Sequence, residues 1–454
     1  MATTDTIAAI ATPPGRGGVG IVRISGPLST TISNRITGAI PAPRQASFKR
    51  FFINHSDAPD GLIDFGLVLF FPAPHSFTGE DIIELHGHGG AVVMDRLLQA
   101  VLAAGARIAS PGEFSERAFL NDKLDLAQAE AIADLIDSAT EDAARSALIS
   151  LSGQFSTEVF ELVESITRIR VFIEAALDFS DEDIDFLADD ALLHSLEQSQ
   201  QQLQSIVQRA DSGRLLREGA TVVIAGKPNA GKSSLLNYLT GHEAAIVTDM
   251  PGTTRDILKE HINLDGIPVH LLDTAGLRQS DHRVEQEGIR RANQAIASAD
   301  LVLLVVDSTE IHPGEDLLTL WQRIGISAPP SKWCVVFNKT DLSGLSSGFI
   351  NDSAVAISTK HAEGMSDLKK MITSSLGFST DIKNPILARR RHLDALRRAQ
   401  DHLNSAISQL KQSLAGELVA EDLKECQKTL GEITGTVYSD ELLGRIFSSF
   451  CIGK

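Results

Sequence analysis

Glycines bracket the loop Gly226-Lys227-Pro228-Asn229-Ala230-Gly231, and Lys232, Ser233 and Ser234 follow directly. The apolar stretch Thr221-Val222-Val223-Ile224-Ala225 precedes this run and Leu235-Leu236-Asn237-Tyr238-Leu239 follows it, so a strand should lead in and a helix lead out. That context suits a phosphate. Glycines let backbone N–H groups curl around phosphate oxygens, and the helix N-terminus adds the positive end of its dipole. Lys232 would reach the β- and γ-phosphates and the Ser233 hydroxyl would ligate Mg²⁺, with Asn229, Ala230, Gly231 and Ser234 completing the cradle.

Three more segments follow in order. Val269-His270-Leu271-Leu272 reads as a strand ending in Asp273-Thr274-Ala275-Gly276, where Asp273 would hold the Mg²⁺ shell and the Gly276 N–H would sense a γ-phosphate. Cys334-Val335-Val336-Phe337 runs into Asn338-Lys339-Thr340-Asp341. A carboxylate at Asp341 can accept from guanine's ring N–H and exocyclic amine together, whereas adenine would leave it unpaired. Ala354-Val355-Ala356-Ile357 leads into Ser358-Thr359-Lys360, a backbone clamp for the base. Each segment alone is weak; four in register at strand ends predict GTP at the carboxyl edge of a parallel sheet.

Thr248-Asp249-Met250-Pro251-Gly252-Thr253-Thr254-Arg255-Asp256 lies where a switch region belongs, and Thr254 should reach Mg²⁺ when a γ-phosphate is present. Leu277 stands where Ras-like GTPases place a glutamine to orient water. Leucine cannot hydrogen-bond water, so either hydrolysis is poor or another residue does that job. Val284-Glu285-Gln286-Glu287-Gly288 offers carboxylates near the second switch, or simply an acidic helix face.

These loops need elements to hold them. At 454 residues the chain is long enough for two to four domains. Residues 1–120 mix strand-like runs (20–24 and 66–71) with Pro/Gly turns and a helix over 91–104, an α+β domain. From 121 to 215 the pattern is helical, with Phe155, Val159, Leu162, Ile166, Ile169 and Ile173 on one apolar face. An α/β G domain occupies 216–380. Helical periodicity resumes over 381–454 with Leu393, Leu396, Ala399, Leu403, Ala406 and Leu410. The expected architecture is a Ras-like P-loop domain inserted into one helical domain that lies in two sequence halves, because single apolar stripes must bury each other.

The net charge of −18 argues against nucleic acid binding over the whole surface, so any nucleic-acid contact needs a local basic patch. Residues 387–398 hold Arg389, Arg390, Arg391, Arg397 and Arg398 against Asp394; the other reading is a solvated helix face. Three scattered cysteines (Cys334, Cys426, Cys451) give no disulfide framework or metal cluster. Without a signal-peptide pattern or a long apolar run, the expectation is a cytoplasmic protein with no membrane contact. Gly15-Arg16-Gly17-Gly18-Val19-Gly20 matches a dinucleotide fingerprint in letters only, since Thr12-Pro13-Pro14 precede it and a strand follows. Cys451 could add to C6 of a uracil to activate C5, or simply pack.

The pairing of Gly226–Ser234 with Thr248–Asp256 resembles the MnmE (TrmE) family of tRNA-modification GTPases. So do Ala11-Thr12-Pro13-Pro14-Gly15-Arg16-Gly17-Gly18-Val19-Gly20, Ser76-Phe77-Thr78-Gly79-Glu80-Asp81, Phe119-Leu120-Asn121-Asp122-Lys123-Leu124-Asp125-Leu126 and the terminal Phe450-Cys451-Ile452-Gly453-Lys454. The resemblance implies K⁺-stimulated hydrolysis without an arginine finger, with K⁺ held by Asn229 and by carbonyls of Thr248, Met250 and Thr253, and with Glu285 positioning the water. It implies a folate-binding N-terminal domain that takes a one-carbon tetrahydrofolate (5-formyl or methylene) through Arg23, Glu80, Lys123 and Lys454. It further implies a homodimer through that domain, facing G domains, and a flavoprotein partner, MnmG, carrying FAD in a heterotetramer. The product would be a carboxymethylaminomethyl or aminomethyl group at C5 of the wobble uridine. A ribosome-assembly switch without modification chemistry is the alternative; it would carry a basic RNA-binding module beyond the G domain.

Overall fold

The computed structural model describes residues 5–53, 61–178, 190–242, 259–273, 293–311, 316–322, 332–377, 385–413 and 415–453. The chain forms two compact units, one from Met1–Ala133, Leu151–Val163 and Gln427–Lys454, the other from Asp134–Ser150 and Glu164–Cys426.

The first unit is built on a six-stranded sheet. Its strands are β1 (Ile7–Ile10), β2 (Gly17–Ser25), β3 (Ser47–Phe52), β4 (Leu62–Phe71), β5 (Ile82–Gly89) and β6 (Arg107–Ile108), in the order β3-β4-β5-β2-β1-β6. Neighbours are antiparallel except β1 and β6. Strand alternation sends Val22, Ile24, Phe51, Val68 and Leu85 to a core shared with α1 (Ser29–Thr37) and α2 (Ala91–Ala103). The opposite residues, Arg23 and Glu84 among them, face away from that core. β1 was not legible as a strand because Ile7-Ala8-Ala9-Ile10 does not alternate. The structure gives the reason: Ala8 packs into the helix-side core, while Ile7 and Ala9 pack with Ala109 and Phe114. α3 (Glu113–Leu120) follows β6.

α4 (Leu126–Ile136), α5 (Glu141–Leu151), α6 (Gln154–Asp178) and α7 (Asp190–Glu218) form the first helical half. All six residues of the α6 stripe are buried.

The G domain carries a seven-stranded sheet of β7 (Ala220–Gly226), β8 (Lys259–Leu264), β9 (Ile267–Asp273), β10 (Leu301–Asp307), β11 (Trp333–Asn338), β12 (Gly348–Asn351) and β13 (Ala354–Ala356), ordered β12-β13-β11-β10-β7-β9-β8. The five inner strands are parallel and the edges β8 and β12 are antiparallel. Continuous apolar runs fit this sheet because both faces are covered. Val222, Ile224, Leu303 and Val336 pack on one side, and Val223, Ala225, Leu304 and Val335 on the other. Helices α8 (Lys232–His242), α9 (Leu317–Gln322), α10 (Thr340–Ser343) and α11 (Met365–Ser375) accompany the sheet.

The second helical half is α12 (Arg390–Ser413), α13 (Gly416–Thr434) and α14 (Asp440–Ser448). α12 lies along α7: Gln200 Nε2 donates to Asn404 Oδ1 at 2.6 Å and Lys411 Nζ to Glu197 at 2.8 Å. The chain is thus an N-terminal α+β domain and a helical domain in two sequence halves, with a P-loop α/β domain inserted between them. Among the described residues, no helix is long and apolar enough to cross a membrane.

Candidate functional site

β7 delivers the loop 226–231 to the carboxyl edge of the parallel sheet, and α8 starts at Lys232. Both bracketing glycines are required. Gly226 has φ +148°, and a Cβ there would overlap the Val305 carbonyl oxygen; Gly231 has φ +97°, and its Cβ would overlap Asn338 Nδ2. Asn229 holds the left-handed conformation at φ +64°, which asparagine tolerates better than most residues, and it is exposed. Lys232 is buried and its Nζ donates to the Lys227 carbonyl at 2.7 Å, closing the loop on itself. Ser233 Oγ donates to Asp273 Oδ2 at 3.4 Å. A hydroxyl and a carboxylate that close can share one hard cation or its water shell, so these residues fit Mg²⁺.

The residues expected at the base end follow neighbouring strands. Asn338 is buried; its Nδ2 donates to the Ala230 carbonyl at 3.1 Å, and its Oδ1 accepts from Thr359 N and Oγ1, both at 3.2 Å. It therefore ties the phosphate loop to the 358–360 clamp. Asp341 Oδ1 accepts from the buried Ser358 Oγ at 2.8 Å. Lys339, at φ +66°, donates to Asp307 at 2.6 Å. Burial pushes the Asp307 carboxyl up, but the Lys339 bond and the Thr309 donors outweigh it and hold it below its ordinary value. Thr340 is buried, and Lys360 is exposed beside the clamp. Thr248, Asp249, Met250, Pro251, Gly252, Thr253, Thr254, Thr274, Ala275, Gly276 and Glu285 lie outside the described residues.

A second polar cluster lies on the face of the first sheet away from its helices. Arg23 Nε donates to Glu84 at 2.9 Å, across the β2–β5 register, and Arg23 Nη1 donates to the Gly453 carbonyl at 3.3 Å. The exposed Cys451 thiol belongs to that same tail, and its carbonyl accepts from the Gly112 N–H at 3.4 Å. Two residues along β2, Ser25 Oγ donates to Glu80 Oε2 at 2.7 Å; Thr78 Oγ1, 2.7 Å from Ser25 Oγ, accepts from the Glu80 N–H. The Lys123 stem lies over Gly79, next to Glu80. A cavity of about 270 Å³ opens beside Arg23, lined also by Phe77, Ile82 and Glu84. Burial raises Glu84, yet the His86 bond and the Arg23 charge keep it below its usual range. Lys454 lies outside the described residues.

Arg117 escaped the sequence reading. It is only 2% exposed, and its Nη1 donates to both Glu80 oxygens at 3.0 and 3.1 Å while Nη2 donates to Asp5 at 2.8 Å. Arg107 joins Asp5 and Glu113 to the same network. The available signal was spacing: Arg117 shares a helix face with Phe114 and its neighbour Ala118, both fully buried.

The arginines at and just before the start of α12 pair with carboxylates, Arg389 largely buried and Arg390, Arg397 and Arg398 at the surface. Arg389 pairs with Asp134 at 2.8 Å, Arg390 with Glu218 at 3.3 Å, Arg397 with Asp211 at 2.8 Å and Arg398 with Asp394 at 3.0 Å.

The profile described as "GTP-binding protein TrmE N-terminus" matches residues 6–123, and that described as "MnmE helical domain" matches residues 126–451. The chain is 53% identical over 456 residues to the tRNA modification GTPase MnmE of Stutzerimonas stutzeri, covering 99% of each. It is 54% identical over 459 residues to that of Marinobacter nauticus, again 99% of each, and 53% identical over 454 residues to that of Chromohalobacter salexigens, 99% of this chain and 98% of the other. A phosphate loop and a guanine-type carboxylate on one sheet edge, in a chain that matches these relatives end to end, have one explanation: the chain belongs to the MnmE family of tRNA modification GTPases.

Proposed function

We propose that the chain is a potassium-activated GTPase whose hydrolysis drives addition of a carboxymethylaminomethyl or aminomethyl group at C5 of the wobble uridine of certain tRNAs. The observation that carries this reading is the shared sheet edge: Ser233 and Asp273 converge at the phosphate end, and Asp341 and Ser358 at the base end. In this reading Lys232 binds the β- and γ-phosphates, Thr254 and Ser233 hold Mg²⁺, and Gly276 senses the γ-phosphate. Asn229, with carbonyls of Thr248, Met250 and Thr253, holds K⁺, and Glu285 orients the attacking water. The cations supply positive charge where negative charge develops on the transferring phosphoryl group. The domain limits are 1–120, 121–215, 216–380 and 381–454.

Arg23 and Glu80 of the N-terminal domain, with Lys123 and Lys454 from the two helical segments, bind a tetrahydrofolate. The cavity beside Arg23, with Phe77 in its lining, suits a flat heterocycle with an anionic tail. When bound, that group supplies the one-carbon unit. Cys451, in the tail that Arg23 holds, is the nucleophile candidate, and serine in its place should abolish modification while leaving GTP hydrolysis intact. The partners are tRNA, a second copy of the chain and an MnmG-type flavoprotein that brings FAD, all in the cytoplasm.

The test compares GTP hydrolysis by the purified full chain in potassium and in sodium, with no RNA or partner added. The expected kcat in potassium is at least about a hundredfold higher, the scale of one electrostatic transition-state contact. Equal rates in the two salts would sink the potassium mechanism.

A further inference from the structure

The two chain crossings that carry the G domain meet at one buried carboxylate. Asp134, in the last turn of α4, is 7% exposed. Its Oδ1 accepts from Arg217 Nε and from Arg389 Nη2, both at 2.8 Å, and Arg389 Nε lies 3.4 Å from Oδ2. Arg217 sits in the last turn of α7, two residues before the chain turns at Gly219 (φ +72°) into β7. Arg389 is the residue before α12, where the chain returns from the G domain. The crossings also touch each other. The Ile386 N–H donates to the Arg209 carbonyl at 3.2 Å, a Cβ on Gly213 would overlap the Ile386 carbonyl oxygen, and Arg390 reaches Glu218 at 3.3 Å.

The same knot reaches the nucleotide edge. His270, on β9, places Nε2 3.1 Å from the Glu218 carbonyl oxygen. A carbonyl only accepts, so that nitrogen carries a proton and donates. Three residues further along β9 is Asp273, opposite Ser233. A path of directional contacts therefore runs from the cation-site strand through Glu218 and Arg217 to Asp134. Beside it lies a cavity of about 450 Å³ lined by Asp137, Ser138, Arg217 and Arg390 among others, which gives the crossings space to pivot while the ionic contacts stay made.

We propose that Asp134 is the positioning residue that couples GTP hydrolysis to tRNA modification: by pinning both crossings to α4, it turns a shift of β7 and β9 into movement of that helix instead of slack in the linkers. The proposal rests on the reading that hydrolysis drives modification. Charge-assisted bonds from two guanidinium groups to one buried carboxylate are short and geometrically strict, which is what such a joint requires.

The experiment uses the full chain carrying Asp134→Asn, which keeps side-chain volume and removes the charge. GTP hydrolysis is measured on purified protein in potassium, and modified wobble uridine is measured by mass analysis of tRNA from cells with the variant as sole copy at matched protein level. Hydrolysis should stay within about twofold of the parent, while modification falls at least about fivefold, the scale of a lost coupling. Asp134→Glu restores the charge, and the cavity has room for the extra methylene, so it should recover modification. Arg389→Gln, which leaves Asp134 with Arg217, should show the same split and carries the test if Asp134→Asn does not accumulate. Wild-type modification by Asp134→Asn overturns the proposal, as does a parallel loss of hydrolysis and modification that Asp134→Glu fails to repair. Full modification by a Lys232→Ala copy would instead overturn the underlying reading, and the proposal with it.

Discussion

In the proposed reading, the carboxylate at position 341 selects the base. Ser358 already occupies one of its lone-pair directions at 2.8 Å, which fixes its orientation and leaves the rest for the base. Asp341→Asn places an NH₂ where an acceptor is needed. One hydrogen bond to a charged group is lost and the other falls to a neutral oxygen, about 3 kcal/mol together, so GDP affinity by calorimetry should fall about a hundredfold or more; unchanged affinity would contradict the assignment of guanine to this pocket. Arg117 makes the complementary case. Arg117→Met would leave the largely buried Glu80 without its guanidinium, while Glu113 keeps Arg107, and the N-terminal unit should lose about 3–5 kcal/mol in denaturant unfolding. A loss under about 1 kcal/mol would mean that water replaces the arginine there. The two residues also mark what sequence could tell. The place of Asp341, just past the end of β11 and against Ser358, was legible because the run Asn338-Lys339-Thr340-Asp341 follows an apolar strand. Arg117 was not, because an arginine in a helix normally reaches solvent and only its three-dimensional carboxylate neighbours reveal otherwise.

Elements were legible where burial is one-sided or total. The stripes on α6 and α12 follow helical period and are buried at every position named, and the parallel strands read as unbroken apolar runs. β1 hid because it is short and buried on both faces, and the edges β8 and β12 hid because edge strands carry mixed residues such as Lys259-Glu260-His261. Helix-to-helix contact geometry is also invisible in sequence, and one pair of glycines exposes it. Gly444, in α14, has nothing within 4 Å of a would-be Cβ, so Gly444→Ala should stabilise by about 0.5–1 kcal/mol through helix propensity. Gly213, in α7, faces the Ile386 carbonyl oxygen, so Gly213→Ala should destabilise, by about 1–3 kcal/mol of overpacking strain. Thermal melts of the two variants should move in opposite directions. A shift of the same sign in both would refute the close approach of residues 385–389 to α7.

At the scale of the molecule, charge is concentrated into networks instead of spread as a basic surface. Burial pushes Asp5 and Glu113 upward, but the hydrogen bonds and charges of Arg107 and Arg117 prevail and hold both carboxyls below their ordinary values. The unfolded chain then binds protons more readily than the folded one. Their contribution is complete above about pH 4.5 and is lost as the pH falls through the folded values. The melting-temperature gap between the parent and Arg107→Gln should therefore be widest at neutral pH and close in acid below about pH 4. A gap that persists undiminished to pH 3 would count against the network.

The central claim is that nucleotide turnover in the inserted domain is what modifies tRNA. Its most direct test is mass analysis of wobble nucleosides from cells lacking the protein, complemented with either the parent chain or a Lys232→Ala copy that cannot hold the phosphates. The C5-substituted uridine should return with the parent chain and stay absent with Lys232→Ala; equal restoration by both would contradict the claim.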